Sequence, residues 1–378
     1  MFQKHKQKSM IEVQDIKNSP LAENPVIAQM GLHNHEQIVF CNDNDTGLKA
    51  IIAIHNTILG PSLGGTRMWS YNNEMEALTD VLRLSRGMTY KSSVAGLNLG
   101  GGKAVIIGDS KTQKNEALMR RFGKFVNSLS GKYITAEDVG VSTKDMEYIK
   151  METDFVSGLP VNMGGSGDPS PVTAYGVYLS MKASAKEKWG NDSLSGKKVV
   201  VQGIGHVGES LVKHLVKEGA KVSIFDINED RMKLVAMETG AEVILDGNKI
   251  YDMDMDIYAP CALGATVNSD TLSRLKCSII CGAANNQLAD ENVHGKMVIE
   301  KNILYAPDFV VNAGGIINVF YELEGYNRER AMAHAEKIYD TTLNIFKVSK
   351  EQNIPTYMAA NRLAEKRLAD IGKIKVTF

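Results

Sequence analysis

The stretch from Lys197 to Asp226 reads KKVVVQGIGHVGESLVKHLVKEGAKVSIFD, and it decides the fold. An apolar strand, Val199–Gln202, runs directly into the glycine pattern Gly203–Gly208, and a helix with apolar residues on one face follows. A second strand then ends at Asp226, which lies 23 residues past Gly203. A strand, a glycine-rich turn, a helix, a strand and an acidic residue in this order form a dinucleotide-binding unit of the Rossmann type, which is an α/β fold.

The glycine pattern also predicts how this unit would hold its ligand. Glycines let the backbone and the helix N-terminus approach a pyrophosphate. The carboxylate of Asp226 can accept hydrogen bonds from ribose hydroxyls and would repel a 2′-phosphate, so NAD is favoured over NADP. Arg231 lies close enough in sequence to leave NADP open. The expected cofactor contacts are Gly203, Ile204, Gly205, His206, Val207, Gly208 and Asp226.

The chain as a whole has 378 residues, which is long for a single core and predicts two domains. Its composition, 43% hydrophobic and 23% charged, is that of a globular protein. The net charge of −1 gives no sign of a nucleic-acid or membrane partner. No apolar run reaches the roughly 18–20 residues of a membrane span, and the polar first residues lack the apolar core of a signal peptide. We therefore expect a cytoplasmic protein with a loose N-terminal extension over residues 1–25.

The cysteines are too few and too scattered for a disulfide framework in a chain of this size. Two of them lie four positions apart, without the neighbouring histidines or CxxC spacing of a metal site. Buried free thiols are therefore expected, and no metal is predicted. The four residues are Cys41, Cys261, Cys277 and Cys281.

The N-terminal part alternates strands with helices, which predicts a separate α/β domain. Strands are predicted at Ile38–Cys41 and Leu48–His55, and these two are expected to pair. A glycine-rich loop is predicted over Gly60–Arg67. Helices are predicted at Glu74–Met88 and Lys114–Leu129 from the spacing of their apolar residues.

Two lysines stand out in the segment RGMTYKSSVAGLNLGGGKA, residues 86–104. Lys91 is predicted to lie just past the end of a helix, and Lys103 follows a triple glycine and precedes an apolar strand, Ala104–Ile107. Burial disfavours the ammonium form, so a buried lysine can serve as a base. The alternative is structural, with Lys91 capping the helix and Lys103 extending from a strand edge.

A predicted strand, Tyr133–Thr135, leads to Asp138, and Ser142–Asp145 fits a capping box that starts the next helix. Catalytic side chains are commonly displayed on such a connection between a strand and a helix. Asp138 is therefore a candidate functional residue.

The segment Gly158–Pro171 contains four glycines and three prolines and is predicted to be a linker, with a helix starting at Ser170. Further strands then continue the second sheet, and most end in small or amide residues that would line a ligand crevice. The final part, 327–371, is predicted to form two helices that are broken at Pro355 and could fold back onto the first domain. The predicted strands are Ile257–Pro260, Ser278–Cys281, Ile303–Tyr305 and Phe309–Val311.

From about Gly31 to Ile371 the chain resembles the glutamate/leucine/phenylalanine/valine dehydrogenases. The resemblance implies an N-terminal α/β domain for substrate binding and oligomerisation, residues 26–157 with about 353–378. It implies a doubly wound, Rossmann-type NAD-binding domain over residues 158–352, and a cleft between the two domains. The motifs that carry it are GPSLGGTRMW (60–69), RGMTYK (86–91), GLNLGGGK (96–103), ITAEDVG (134–140), PSPVTAYG (169–176), YAPCALGA (258–265), AANNQL (283–288) and VNAGGIINV (311–319).

The activity that the resemblance implies is the reversible, NAD-dependent oxidative deamination of branched-chain L-amino acids. L-leucine is the main expected substrate, with isoleucine and valine beside it, and 2-oxo acids and ammonia are the products. Lys91 is similar to the lysine that binds the substrate carboxylate, Lys103 to the lysine that activates water, and Asp138 to the residue that moves protons at the amino group. Two ammonium groups in one cleft depress each other's pKa, so we expect a charged Lys91 beside a neutral Lys103. Proteins of this type are homo-oligomers, often octamers.

The resemblance also assigns an apolar pocket that suits an aliphatic side chain. Gly102 stands where leucine-specific members often have alanine, and we expect it to loosen the loop that carries Lys103. Ile316 stands where valine is expected, which would shrink the pocket. Thr173, Ala262 and Asn285 join the expected cofactor contacts, and Asn285 is expected to contact the substrate as well. The pocket residues are Leu63, Gly64, Met88, Ala136, Ile316 and Val319.

Two alternatives stay open at this point. Phenylalanine or valine specificity would use the same chemistry, because an apolar pocket discriminates one methylene or ring by only about 1–3 kcal/mol. A non-catalytic NAD-binding regulator could share the fold. Such a regulator would have no need to keep Lys91, Lys103 and Asp138 together.

Overall fold

The computed structural model describes residues 25–374. The predicted N-terminal extension falls almost entirely outside this range, and the first described element is the helix Pro25–His33. Two sheets organise the described chain, one over residues 37–137 and the other over residues 198–305. An α/β protein with two sheets was predicted, and this prediction is confirmed.

The first sheet has five strands in the order β1-β2-β4-β3-β5. β1 and β2 pair antiparallel, as predicted, and β2 also pairs antiparallel with β4, whereas β3 runs parallel to both β4 and β5. Apolar residues of β2 are buried on both faces of the sheet, which requires helices on both sides. The strands are β1 (Gln37–Asp43), β2 (Leu48–Asn56), β3 (Ser62–Trp69), β4 (Gly100–Ile107) and β5 (Tyr133–Glu137).

Three helices cover this sheet. Glu74–Val94 packs its apolar side on one face, and Glu116–Ser128 and Thr143–Lys150 pack on the other. The capping box predicted at Ser142 is present, and the Ser142 amide donates to the Asp145 carboxylate over 2.7 Å.

The predicted loop at Gly60–Arg67 is wrong, because most of this segment forms β3, an interior strand of the sheet. The triple glycine likewise lies inside β4 rather than before it. The physical reason is close approach and not turn formation. A β-carbon on Gly64 would lie 1.8 Å from the carbonyl oxygen of Gly102, and one on Gly101 would lie 2.1 Å from the amide nitrogen of Thr89. The sheet and the helix on it approach so closely that a side chain at these positions would not fit.

The helix predicted to stop at Met88 continues to Val94, so Lys91 lies in its last turn and not beyond it. Gly87 lies inside this helix, and its backbone is helical. Termination occurs at Gly96, which has a φ of +74° and follows the cap residue Ala95.

The second sheet consists of six parallel strands in the order β11-β10-β9-β6-β7-β8. This order is that of the doubly wound dinucleotide-binding fold, as predicted. The strands are β6 (Lys198–Gln202), β7 (Lys221–Phe225), β8 (Glu242–Val243), β9 (Ile257–Pro260), β10 (Ile279–Ile280) and β11 (Leu304–Tyr305). The helices that accompany them are Ser170–Trp189, His206–Lys217, Glu229–Thr239, Ser269–Arg274, Glu291–Glu300 and Gly314–Phe320.

The strand predicted at Phe309–Val311 is also wrong, because Asp308–Val311 forms a short helix. Asp308 follows Pro307, and its carboxylate accepts a hydrogen bond from the Phe309 amide over 2.6 Å. This local hydrogen bond favours a helix start over an extended strand.

The C-terminal part forms the two predicted helices, Arg328–Gln352 and Thr356–Gly372, on either side of Pro355. The second of them packs back on the helix Glu74–Val94, where the Ser93 hydroxyl donates to the carbonyl oxygen of Ala364 over 2.8 Å. The return of the chain to the first sheet is thereby confirmed, while the predicted domain boundaries stay predictions. Within residues 25–374, no helix is both long and apolar enough to cross a membrane.

A single carboxylate binds the linker between the two sheets and holds it in place. Glu322, on a 3₁₀ turn at Tyr321–Glu324, accepts hydrogen bonds from the backbone amides of Gly158 (2.8 Å) and Ser166 (2.9 Å). These bonds connect both ends of the glycine-rich part of the linker to the second half of the chain.

Candidate active site

The predicted catalytic side chains meet where the two sheets face each other. Lys103 projects from β4, Asp138 follows β5, and Lys91 comes from the helix Glu74–Val94. The Lys91 ammonium donates to the Asn285 side-chain oxygen over 3.4 Å, and Asn285 follows β10 of the second sheet. One hydrogen bond thus crosses the cleft beside the two lysines.

A buried ion pair joins Lys103 to Asp138. The lysine is 6% exposed, and its Nζ lies 2.7 Å from Oδ2 of Asp138. Burial alone would raise the pKa of Asp138, but the positive charges of Lys103 and Arg67 outweigh it and lower that pKa to about 2. Asp138 is therefore an anion at neutral pH, placed to exchange a proton with Lys103 or with a bound ligand.

Lys91 is predicted to be charged, and its pKa lies below the usual value for a lysine. The pKa is about 8: burial lowers it most and the positive charge of Lys103 also lowers it, while the carboxylates of Asp308 and Asp138 raise it. Lys103 has a carboxylate within contact, whereas Lys91 has the neutral amide of Asn285. With a pKa of about 8, Lys91 is mostly an ammonium at pH 7, and the predicted difference in charge between the two lysines stays a prediction.

The predicted side-chain pocket is largely brought together. Leu63, Met88, Ile316 and Val319 pack in one apolar cluster, to which the first sheet and helices of the second half of the chain contribute. Gly64 faces Met88, since a β-carbon there would lie 3.3 Å from its Cγ. Ala136 is buried on β5 and is not part of this cluster. The arrangement leaves an apolar wall beside Lys91 and Lys103.

Gly102 does not loosen a loop around Lys103, because it lies within β4. A β-carbon there would come within 2.7 Å of the Tyr133 ring and 2.9 Å of the Ser62 hydroxyl. The Tyr133 hydroxyl in turn donates to the carbonyl oxygen of Gly64 over 2.6 Å. Tight packing therefore holds the residue before Lys103 on both sides.

The glycine turn before the helix His206–Lys217 has the shape that a pyrophosphate requires. Gly203 has a φ of +104°, and a β-carbon there would meet Ala262 at 2.6 Å. Apart from its chain neighbours, no atom of residues 25–374 lies within 4 Å of the β-carbon position at Gly205, at the helix N-terminus. This open cradle of backbone amides fits a dinucleotide phosphate. The remaining residues of the turn, Ile204, His206, Val207 and Gly208, follow in the predicted strand-to-helix connection.

The acidic residue at the end of β7 is held in place by the turn itself. Asp226 accepts hydrogen bonds from the amides of Ile204 (2.6 Å) and Asn228 (2.9 Å). Arg231, which left NADP open, donates to the carboxylate of Glu209 over 3.0 Å. Thr173 lies in the first turn of its helix, and a β-carbon on Gly315 would lie 2.9 Å from the Thr173 hydroxyl oxygen.

Sequence reasoning missed two residues of the site. Arg67 contacts Asp138 over 3.2 Å, and the Asn312 amide donates to the Asn285 side-chain oxygen over 2.8 Å. The Asn312 Oδ1 is buried and has no hydrogen-bond partner in the described part of the chain, so a ligand could supply one. Both residues lie in the quoted motifs GPSLGGTRMW and VNAGGIINV, where a polar side chain among apolar and small neighbours was the available signal.

Comparison with models of protein families identifies the family of this chain. The model of the Glu/Leu/Phe/Val dehydrogenase dimerisation domain matches residues 35–155, and that of Glutamate/Leucine/Phenylalanine/Valine dehydrogenase matches residues 164–228 and 223–374. The chain belongs to this family. It is therefore an amino-acid dehydrogenase, and the resemblance drawn from the motifs is confirmed.

Individual members of the family are similar over nearly their whole length. Leucine dehydrogenase of Thermoactinomyces intermedius is 56% identical over 349 residues, which is 92% of this chain and 95% of that protein. Valine dehydrogenase of Streptomyces virginiae is 49% identical over 338 residues, 89% of this chain and 94% of that protein. Among solved structures, L-tryptophan dehydrogenase from Nostoc punctiforme has a TM-score of 0.82 at 44% identity, covering 92% of this chain and 99% of that one.

Proposed function

We propose that this protein catalyses the reversible, NAD-dependent oxidative deamination of branched-chain L-amino acids, chiefly L-leucine. The observation that carries the proposal is the buried contact of 2.7 Å between Lys103 and Asp138, in a cleft that also contains Lys91. The similarity to leucine dehydrogenases, which exceeds that to valine dehydrogenases, supports leucine as the main substrate.

The three charged residues have complementary tasks in this reaction. The Lys91 ammonium binds the carboxylate of the amino acid. Lys103 takes a proton from the water that attacks the imine carbon, and Asp138 exchanges protons with the departing amino group. Bound NAD supplies the hydride acceptor for the Cα hydrogen, and Gly203–Gly208 with Asp226 would hold it.

The apolar cluster around Leu63 and Ile316 favours an aliphatic side chain. Valine and isoleucine are expected as further substrates. Phenylalanine specificity is the second candidate, because an apolar pocket alone separates such substrates by only about 1–3 kcal/mol. We also infer a homo-oligomer, since the family model that matches residues 35–155 describes a dimerisation domain. A cytoplasmic location stays a prediction from the sequence.

The first experiment measures NADH formation from NAD with L-leucine, L-isoleucine, L-valine and L-phenylalanine. We expect the highest kcat/KM with L-leucine. A protein that forms no NADH with any of the four would refute the enzymatic proposal.

Lys103→Ala tests the base. We expect kcat to fall by about 10²–10⁴-fold, the usual range for removing a general base. NAD binding, followed by fluorescence titration, should stay within about twofold, because Lys103 lies outside the glycine turn. Lys111→Ala, at an exposed lysine beyond the same strand, is the matched control. Turnover of Lys103→Ala within tenfold of the wild type would remove Lys103 from this role.

Asp226→Ala tests the cofactor. Removal of the carboxylate should weaken NAD binding and bring the kcat/KM values for NAD and NADP closer by about tenfold or more, since a charge-assisted bond and a repulsion are both lost. The competing cation, Arg231, is already paired with Glu209. An unchanged cofactor preference would show that Asp226 is not the ribose contact.

A further inference from the structure

Within residues 25–374, Arg67 supplies the one guanidinium that contacts the catalytic carboxylate. It lies on β3, between β4 and β5, and is partly buried. Its Nε lies 3.2 Å from Oδ2 of Asp138, and its Nη1 lies 3.0 Å from Oδ2 of Asp80 on the helix Glu74–Val94. One planar group therefore bridges the active site and the helix that supplies Lys91.

The outer end of this bridge is itself fixed. Asp80 accepts a hydrogen bond from the Tyr71 hydroxyl over 2.8 Å and one from Arg83 over 2.9 Å. Arg83 is half-exposed and reaches Asp80 from the solvent side. Arg67 is thus held at two nitrogens, which a flexible surface cation would not be.

The inner end is shared with the catalytic lysine. Lys103 and Arg67 make their closest contacts with the same oxygen of Asp138, Oδ2. Asp138 also packs against bare backbone, since a β-carbon on Gly65 would lie 2.9 Å from the Asp138 Cβ. Two cations and a glycine therefore fix the position of this carboxylate.

We propose that Arg67 is a positioning residue of the reaction: it fixes Asp138 through Oδ2 and leaves Oδ1 to the amino group of the substrate. This inference rests on the proposed function, because it assigns the second carboxylate oxygen, Oδ1, to an amine. Arg67 itself does not touch the substrate and acts through Asp138.

The charge of Arg67 has a second consequence, for the pH range in which Asp138 can accept a proton. Loss of one of the two contacting cations raises the pKa of Asp138, so the acid limb of the kcat profile moves to higher pH. Lys103 remains as the second cation, which limits the shift. The charged and titratable groups that face Asp138 are Arg67 on β3, Lys103 on β4, Tyr133 and Glu137 on β5, Lys91 on the helix, and Tyr71.

The experiment compares pH profiles of kcat and KM for the wild type, Arg67→Met, Arg67→Lys and Arg83→Met. For Arg67→Met we expect kcat to fall by about tenfold or more and the acid limb to rise by about one pH unit, with the KM for NAD unchanged. Arg67→Lys should restore the acid limb but not the full kcat, because an ammonium cannot bridge Asp138 and Asp80 as a planar fork does. Arg83→Met removes an arginine from the same network without touching Asp138, and its kcat should stay within about twofold.

Arg67→Met with a kcat within threefold and an unmoved acid limb would overturn the inference, as would an equal loss in Arg83→Met. If Arg67→Met does not fold, Asp80→Asn takes its place, since it keeps Arg67 but weakens its anchor. A fall in kcat of about fivefold or more then supports the inference, and an unchanged kcat overturns it. A wild type inactive with all four amino acids would overturn the proposed function along with the inference, whereas an active wild type beside an unaffected Arg67→Met overturns the inference alone.

Discussion

At the scale of single residues, the two lysines of the cleft differ in what each one contacts. Lys103 is buried against a carboxylate at 2.7 Å, and Lys91 is left with an amide oxygen at 3.4 Å. Lys91 has a lowered pKa and is in contact with no carboxylate of residues 25–374, so its ammonium group is available to bind an anionic ligand. The carboxylate of the substrate would complete the environment of Lys91 in the way that Asp138 completes that of Lys103.

This difference predicts proton uptake on ligand binding. The pKa of Lys91 is about 8 in the free protein, and a bound carboxylate favours the ammonium form and raises that pKa. Above pH 8 a growing fraction of free sites lacks the proton and must take it up on binding. At pH 9 we expect uptake of close to one proton per site for 4-methylpentanoate, a branched-chain carboxylate without an amino group.

Titration calorimetry in two buffers of different ionisation enthalpy measures this uptake. Lys91→Met should abolish it and weaken binding, while Lys111→Met, at an exposed position, should leave it unchanged. Binding without proton uptake between pH 8 and 9.5 would contradict the assignment of Lys91 to the carboxylate.

At the scale of elements, the sequence predicted the α/β order correctly wherever apolar spacing was clear, as in β6, its helix and β7. It failed where a glycine or a short apolar run depended on neighbours distant in sequence. The glycines of β3 and β4 predict loops, but in the structure they allow two strands to pack closely, with Gly64 against the Gly102 carbonyl. The apolar run Phe309–Val311 predicts a strand, but it forms part of a short helix. Three apolar residues do not distinguish the two structures.

The candidate site divides in the same way. Lys91, Lys103 and Asp138 were predicted through motifs, whereas the contact of Arg67 with Asp138 depends on the parallel register of β3 with β5. Strand register between segments about 70 residues apart has no signature in one sequence, so this residue was missed.

Two buried histidines, His35 just before β1 and His55 on β2, contact the helix of Lys91. The His35 Nε2 lies 3.0 Å from the Leu82 carbonyl oxygen, and the His55 Nδ1 lies 2.8 Å from the Thr89 hydroxyl. The pKa of His35 is about 4 and that of His55 about 3. Burial is the main cause for both, the charges of Arg86 and His33 lower both values and that of His35 lowers the value of His55, while backbone hydrogen bonds act in the opposite direction. Both rings are therefore neutral in the folded protein above pH 5.

These lowered values predict a loss of stability in mild acid. An unfolded histidine has a pKa near 6.5, so below that pH the unfolded chain binds more protons and stability falls as the pH falls. The contribution is fully present above pH 6.5 and is lost progressively down to the folded pKa. At pH 5 each histidine costs about 2 kcal/mol of unfolding free energy.

Urea unfolding at pH 7 and pH 5, followed by fluorescence, checks this expectation. In His55→Gln the drop between the two pH values should shrink by about 2 kcal/mol relative to the wild type, even if the variant is less stable at pH 7. His206→Gln, at an exposed position, should retain the whole drop. An equal drop in the wild type and in His55→Gln would contradict a neutral buried His55.

At the scale of the whole molecule, the site exists only when both sheets are in place. Leu63 and Ile134 of the first part pack with Val172, Ile316 and Ile338 of the second in one apolar cluster. The cluster lies beside the hydrogen bond between Lys91 and Asn285, so the pocket is complete only where the two parts of the chain pack together. Residues far from the chemistry also hold this arrangement, such as Glu322, whose carboxylate accepts hydrogen bonds from the linker.

The first sheet carries a surface that one chain leaves uncovered. β1 is an edge strand, and Phe40 on it is 57% exposed. An exposed aromatic side chain on an open edge strand is a site of association unless another chain covers it. Since the family model over residues 35–155 describes a dimerisation domain, we expect β1 to lie at the contact between subunits.

Phe40→Lys tests this expectation, because a lysine on an edge strand opposes pairing with a second edge. We expect light scattering after size exclusion to give a smaller mass for Phe40→Lys than for the wild type at micromolar concentration. Met237→Lys is the matched control: it replaces an 85% exposed residue on the helix Glu229–Thr239 beside the second sheet, and should leave the mass unchanged. Equal masses for Phe40→Lys and the wild type, with unchanged circular dichroism, would place the subunit contact away from β1. A smaller mass together with retained NAD binding would separate assembly from the fold of the second sheet, because the glycine turn of β6 lies on a different sheet from Phe40.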